Sequence, residues 1–139
     1  MKDQYTKAPP SFQKAISHQI ELILESPDFN ATPQQIAFLK FVVNQTLAGK
    51  GLEIKDYTVA TEVFGRGPNY DPNIDPIVSI QADILWRTLE RYYLNAGKNG
   101  PIRIDIPKDT YVPVFKKRKL PCTYAFKEQW RLFSSLVPS

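Results

Sequence analysis

Between residues 77 and 106 the apolar period of this chain changes from helical to alternating, and that switch limits its possible folds more than any other feature. Residues 77–93 read IVSIQADILWRTLERYY. At about 100° per residue they put Val78, Ala82, Leu85, Leu89 and Tyr92 on one face. Ile80, Asp83, Ile84, Arg87 and Arg91 point roughly the other way, with Trp86 and Tyr93 at the border. Asp75-Pro76 offers a cap followed by proline, which predicts a helix over 76–94, and NAGKNG at 95–100 ends it. Directly afterwards Ile102, Ile104 and Ile106 alternate with Arg103 and Asp105, the pattern of a half-buried strand. PKDT at 107–110 is a turn, with Asp109 able to take its left-handed position. YVPVF at 111–115 returns as the second strand, and Pro113 confines that strand to an edge.

A long helix leading straight into a hairpin needs other elements to cover both apolar faces, and the upstream sequence supplies them. Ser11 opens an amphipathic segment with Phe12, Ile16, Ile20 and Ile23 inward, stopped by SPDFN at 26–30. TPQQ at 32–35 then makes Thr32 an N-cap, Pro33 the first helical residue and Gln35 the partner in a capping box. Ile36, Leu39, Val43 and Leu47 form the buried stripe that follows, widened by Phe38 and Val42, and Gly49 closes it. A shorter helix is expected over about 54–64, with Val59, Ala60, Val63 and Phe64 inward and Gly65 as its stop. GRGPNYDPNIDP at 65–76 is a loop, long for a tight helix-turn-helix. The expected fold is therefore mainly α with a small β hairpin: a winged helix-turn-helix with an extra N-terminal helix. Residues 1–10 form a loose lead-in, 11–115 the winged-helix domain, and 116–139 a basic linker with a further amphipathic segment, YAFKEQWRLFSSLV.

Charge is distributed unevenly. The net +4 comes from the C-terminal part, because residues 31–115 hold nine basic and nine acidic side chains, whereas 116–139 hold six and one. KKRK at 116–119 carries most of the excess, either as a solvated linker or as added sequence-independent affinity for nucleic acid. No apolar run approaches the roughly 18–20 residues that span a bilayer, so no membrane partner is expected. A single cysteine, Cys122, suits a reducing, cytoplasmic setting. Catalysis finds no support: His18 is the only histidine, and no His, Cys or carboxylate pair has metal-ligand spacing. Neither an enzyme nor a cofactor is expected.

Five blocks then occur in order: LILESPDF (22–29), FLKFVVNQTLAGKG (38–51), IKDYTVATEVFGR (54–66), YDPNIDPIVSIQADILWRTLERYY (70–93) and IRIDIPKDTYVPVF (102–115). Together they resemble the winged-helix domain at the N-terminus of many bacterial adenylate-cyclase-like and tetratricopeptide-repeat regulators, itself similar to the effector domain of OmpR/PhoB-type response regulators. The resemblance covers about residues 20–115 and implies a winged helix that binds double-stranded DNA in transcription regulation. Basic residues usual along the family's helix are here Ser79, Asp83, Ile84, Trp86 and Thr88, while Arg87 and Arg91 remain. The glycine of the family's wing turn is Asp109, and the preceding Lys108 is kept.

Two readings of the outward residues follow. In the first, helix 76–94 enters the major groove with Ser79 and Ile80 at its leading end. Arg87 and Arg91 then meet phosphates or bases, and Arg103 and Lys108 of the wing hold the adjacent backbone. In the second, the neutral domain is a protein-interaction module, and Ile80, Ile84 and Trp86 form an apolar patch for a homodimer or another protein partner.

Overall fold

The computed structural model describes residues 7–107 and 109–117. Four helices precede a two-stranded antiparallel hairpin: α1 (Pro10–Glu25), α2 (Pro33–Leu47), α3 (Asp56–Glu62), α4 (Ile77–Leu94), β1 (Ile102–Asp105) and β2 (Val114–Lys117), with a 3-10 turn at Gly51–Glu53 between α2 and α3. This is a winged helix-turn-helix arrangement with one additional helix at its start. No helix among the described residues is long and apolar enough to cross a membrane.

Local chemistry accounts for most element ends. Thr32 and Gln35 make a complete capping box: the Gln35 N–H donates to Thr32 Oγ1 at 3.2 Å, and the Thr32 N–H donates to Gln35 Oε1 at 3.1 Å. The Gln35 amide also donates to Gln81 Oε1 at 2.9 Å, so the start of α2 is tied to α4. Thr32→Ala is therefore expected to cost about 1 kcal/mol, read as a Tm lowered by a few degrees in thermal unfolding. A loss near zero would mean that the cap does not hold α2. Gly49 and Gly65 take left-handed φ values of 83° and 67° and end α2 and the α3 turn as the sequence predicts.

One contiguous core joins every element. Ile16, Ile20 and Ile23 of α1 meet Phe38, Leu39 and Val42 of α2, the Val59–Ala60 pair of α3, and the Val78, Ala82, Leu85 and Leu89 stripe of α4. Ile102, Ile104 and Ile106 are buried beneath the hairpin, and β1 shows the expected alternation. The expected stripes hold with small exceptions: Phe12, Ile36 and Val63 are only half-buried, and Gln19, Gln35 and Thr46 are buried as well.

Four local expectations change. Asp75 does not cap α4; Pro76 occupies the cap position, and the Asp75 carboxylate accepts from Arg66 Nε at 2.7 Å. The long loop has taken the capping group to close itself, helped by the Tyr70 hydroxyl, which donates to the Asp75 carbonyl at 2.8 Å. The return strand does not include residues 111–113. It starts at Val114 and pairs Asp105↔Val114 through Ile102↔Lys117. Within this connection Tyr111 takes a left-handed φ of 61°. Tyr111, Val112 and Pro113 turn into the core, and the Tyr111 N–H donates to the Pro107 carbonyl at 3.0 Å. Pro113 has no N–H for a ladder, so pairing resumes after it. Lys116 and Lys117, placed in a linker by composition, are strand residues. The lead-in is tied down at its end, where the Ala8 N–H donates to the Leu47 carbonyl at 2.8 Å.

Candidate nucleic-acid interface

The α4 helix sets the site. Its buried face is complete, with Val78, Ala82, Leu85, Thr88, Leu89, Tyr92 and Tyr93 all turned inward. The 3.6-residue repeat therefore fixes what remains outside. Ile80, Ile84, Arg87 and Arg91 follow one another along the middle of the open face, and Asp83 and Ser79 sit on its flank. Ile80 is 51% exposed, and the Arg87 side chain is 65% exposed. Ser79 Oγ donates to the Pro76 carbonyl at 3.2 Å, an ordinary first-turn contact.

Arg87 is paired with Asp83 one turn earlier. The acid lies four residues N-terminal to the arginine, the favourable order on a helix surface. That spacing was readable in the sequence and identifies the first charge that Arg87 meets. Arg91 forms no ion pair among the described residues. Its side chain is exposed, while its carbonyl accepts from Asn95 Nδ2 at 2.9 Å.

Trp86 does not join the two isoleucines. It lies about 120° around the helix from Ile80 and about 160° from Ile84, half-buried on the flank that carries Glu90 and Tyr93. The hairpin runs along that flank. The apolar side chains on the open face of α4 thus include Ile80, the half-buried Ile84 and, at the far end of the helix, the 70% exposed Leu94, without Trp86.

Arg103 is the joint between helix and hairpin. Its Nη2 donates to Glu90 Oε2 at 2.6 Å and its Nε to Asp105 Oδ1 at 2.8 Å, while the guanidinium lies 5.0 Å from the centre of the Tyr93 ring. Burial disfavours its charge, but the hydrogen bond and charge of Asp105, with Glu90 and Tyr93 behind them, outweigh that and raise its pKa. Beneath it the Tyr93 hydroxyl accepts from the Ile104 N–H at 2.9 Å and from Gln19 Nε2 at 3.3 Å, and donates to the Ile102 carbonyl at 3.2 Å. One hydroxyl thus ties α1, α4 and β1 together. Neither Glu90 nor Tyr93 stood out as a functional residue in the sequence. Tyr93 looked like a border residue, because its polar partners come from elements far along the chain.

On the hairpin's second strand Lys116 and Lys117 are exposed, and Lys116 Nζ lies 3.6 Å from Asp105 Oδ2. Lys108 lies outside the described residues. At the far end of the hairpin connection Tyr111 is buried, and that burial together with the nearby Asp56 carboxylate raises its pKa far above the usual phenol value. The hydroxyl therefore stays protonated. From α4 across to β2, then, the surface alternates Asp83 with Arg87, Glu90 with Arg103, and Asp105 with Lys116, leaving Arg91 and Lys117 as positive charges outside these pairs. Comparison with protein families, with curated proteins and with solved structures finds no match to this chain.

Proposed function

We propose that the domain binds double-stranded DNA, with α4 in the major groove and the hairpin beside the adjacent backbone, as part of transcription regulation. The observation that carries this reading is the open face of α4, which has Arg87 and Arg91 along its middle and the hairpin fixed on its flank. Arg87, Arg91, Lys116 and Lys117 meet phosphates, and Arg87 exchanges Asp83 for a phosphate oxygen on binding. Ser79 and Ile80 lie at the leading end, where Ile80 and Ile84 suit thymine methyl groups. Lys108 keeps its assignment from the sequence alone, between Pro107 and Asp109. Arg103 is assigned to positioning, since its donors hold Glu90 and Asp105 and fix the angle between hairpin and helix. No catalytic step, metal or cofactor enters.

Four neutralised phosphates give log K a slope of about −3 to −4 against log salt. At 0.1 M salt Arg91→Ala is expected to weaken binding roughly tenfold and to flatten that slope by about one, while Asp83→Asn strengthens binding by a similar factor. Fluorescence anisotropy with random-sequence duplexes over a salt series checks all three values. Absence of binding at low salt sinks the reading.

A second reading rests on the exposure of Ile80, with Ile84 beside it, on a face whose charges are largely paired. Here the same face docks a second copy or another protein. Ile84→Glu then lowers the sedimentation-derived mass or the partner affinity and leaves DNA affinity unaffected by Asp83→Asn.

A further inference from the structure

The helix added ahead of the winged helix-turn-helix creates a groove. About 520 Å³ lies between the start of α1 and the open end of the hairpin, with Pro9, Phe12 and Ala15 on one wall and Ile102 on the other. That volume falls within the range of small-molecule sites. Both walls are fixed from behind. The Ala8 N–H donates to the Leu47 carbonyl at 2.8 Å, and the Gln13 side-chain amide donates to the Ala8 carbonyl at 2.7 Å. Across the groove the Ile102 carbonyl accepts from the Tyr93 hydroxyl at 3.2 Å. The Phe12 ring is half-buried and braced edge-on by Phe115 at 5.7 Å, so it offers a fixed apolar surface. Lys7 and Lys117 line the same groove, both exposed and neither in an ion pair among the described residues. No carboxylate is among the described residues that line it, whereas Arg87, Arg103 and Lys116 each meet one elsewhere.

We infer that this groove binds a small aromatic carboxylic acid, with its ring against Phe12 and Ile102 and its carboxylate at Lys7 and Lys117. Two like charges beside one apolar groove repel each other, and an anion seated with them relieves that repulsion. A cation adds to it, and a neutral ligand gains nothing from either lysine. An aromatic body suits the Phe12 ring, since rings pair in offset or edge-on arrangements. Two ammonium point charges without a guanidinium fork suit one carboxylate better than a phosphate, whose three oxygens call for more donors. Both walls are already bonded in place, so the ligand does not have to order them on binding. The inference does not rest on DNA binding, although Lys117 serves in both.

The test is a titration of the full chain with naphthoate, followed by NMR at the Ala15 methyl and the Ile102 amide. Naphthalenemethanol and naphthylmethylamine serve as the neutral and cationic counterparts, and adenosine monophosphate as the phosphate-bearing one. Naphthoate is expected to saturate both signals with a Kd of about 1 mM or tighter. The alcohol is expected to bind roughly five- to tenfold more weakly, and the amine more weakly still. Lys7→Met combined with Lys117→Met is expected to erase the preference for acid over alcohol and to keep the alcohol's own affinity. Lys14→Met removes a charge from α1 outside the groove and is expected to keep that preference. Ala15 is exposed, so Ala15→Glu puts a carboxylate on the groove wall without touching the core and is expected to weaken naphthoate several-fold. The wild-type ligand series stands whether or not a variant folds. Several outcomes overturn the inference: no saturable shift at Ala15 and Ile102, equal affinity for acid, alcohol and amine, adenosine monophosphate bound more tightly than naphthoate, or a preference that survives the double variant or disappears in Lys14→Met.

Discussion

Phe38→Ala is expected to cost about 3–5 kcal/mol of folding stability, the largest effect of any single change discussed for this domain. Phe38 has no solvent-exposed surface, and its ring meets Phe64 edge-on at 5.6 Å and Tyr111 at 6.2 Å. It therefore joins α2 to the end of α3 and to the buried connection ahead of β2. Those neighbours belong to two segments outside α2, so neither alone can relax to fill the vacancy, and the cavity cost adds to the lost transfer energy. A domain of this size has a total stability of about 5–15 kcal/mol, so the variant is close to unfolding at room temperature. Urea denaturation checks the value through the shift in midpoint. Phe38→Leu keeps most of the volume and is expected to lose only about 1–2 kcal/mol. If the alanine variant lost no more than the leucine variant, the three elements would not be packed around this ring.

Tyr93→Phe is expected to cost about 2–4 kcal/mol although it removes one oxygen. The hydroxyl serves the Ile104 N–H, the Ile102 carbonyl and the Gln19 amide, all buried between α1, α4 and β1. Without it these groups stay away from water and lose a partner, which costs more than the bonds themselves contribute. The ring remains, and with it the stacking of Arg103, so the change isolates the polar contribution. Amide hydrogen exchange gives the specific readout: Ile104 is expected to exchange faster than the global unfolding rate allows, because β1 loosens from α4 first. Under the DNA-binding reading a loosened hairpin also lowers affinity, whereas Phe38→Ala lowers it only in proportion to the unfolded fraction. Unchanged exchange at Ile104 would falsify the role of Tyr93 as the link between helix and hairpin.

What could be read in advance was whatever depends on residues within one turn of each other. The Thr32–Gln35 box, the glycine stops at 49 and 65, the inward stripe of α4 and the alternation of β1 are set by 3.6- and 2-residue periods and by short-range hydrogen bonds. The Asp83–Arg87 pair belongs to the same class, visible four residues apart. Departures arose where a local signal competed with a distant partner. Asp75 has the chemistry of an N-cap, but Arg66 across the loop offers a full positive charge, and the carboxylate pairs with that instead of the helix N–H groups. YVPVF has the composition of a strand, but burial of Tyr111 against Phe38 and Asp56 draws its first residues out of the ladder.

The functional residues divide along the same line. Sequence alone determined that the chain builds a winged helix-turn-helix and that Ile80, Ile84, Arg87 and Arg91 occupy the outer face of α4, because helical period and side-chain polarity fix which side faces water. Only the tertiary structure decided which of the positive charges are already engaged. Arg103 alternates outward in β1 like any exposed strand residue, yet it meets Glu90 from α4 and stacks on Tyr93. Ion pairs and stacking across elements depend on where two independently formed surfaces come to rest, and that position is set by packing of the whole core and not by spacing along the chain.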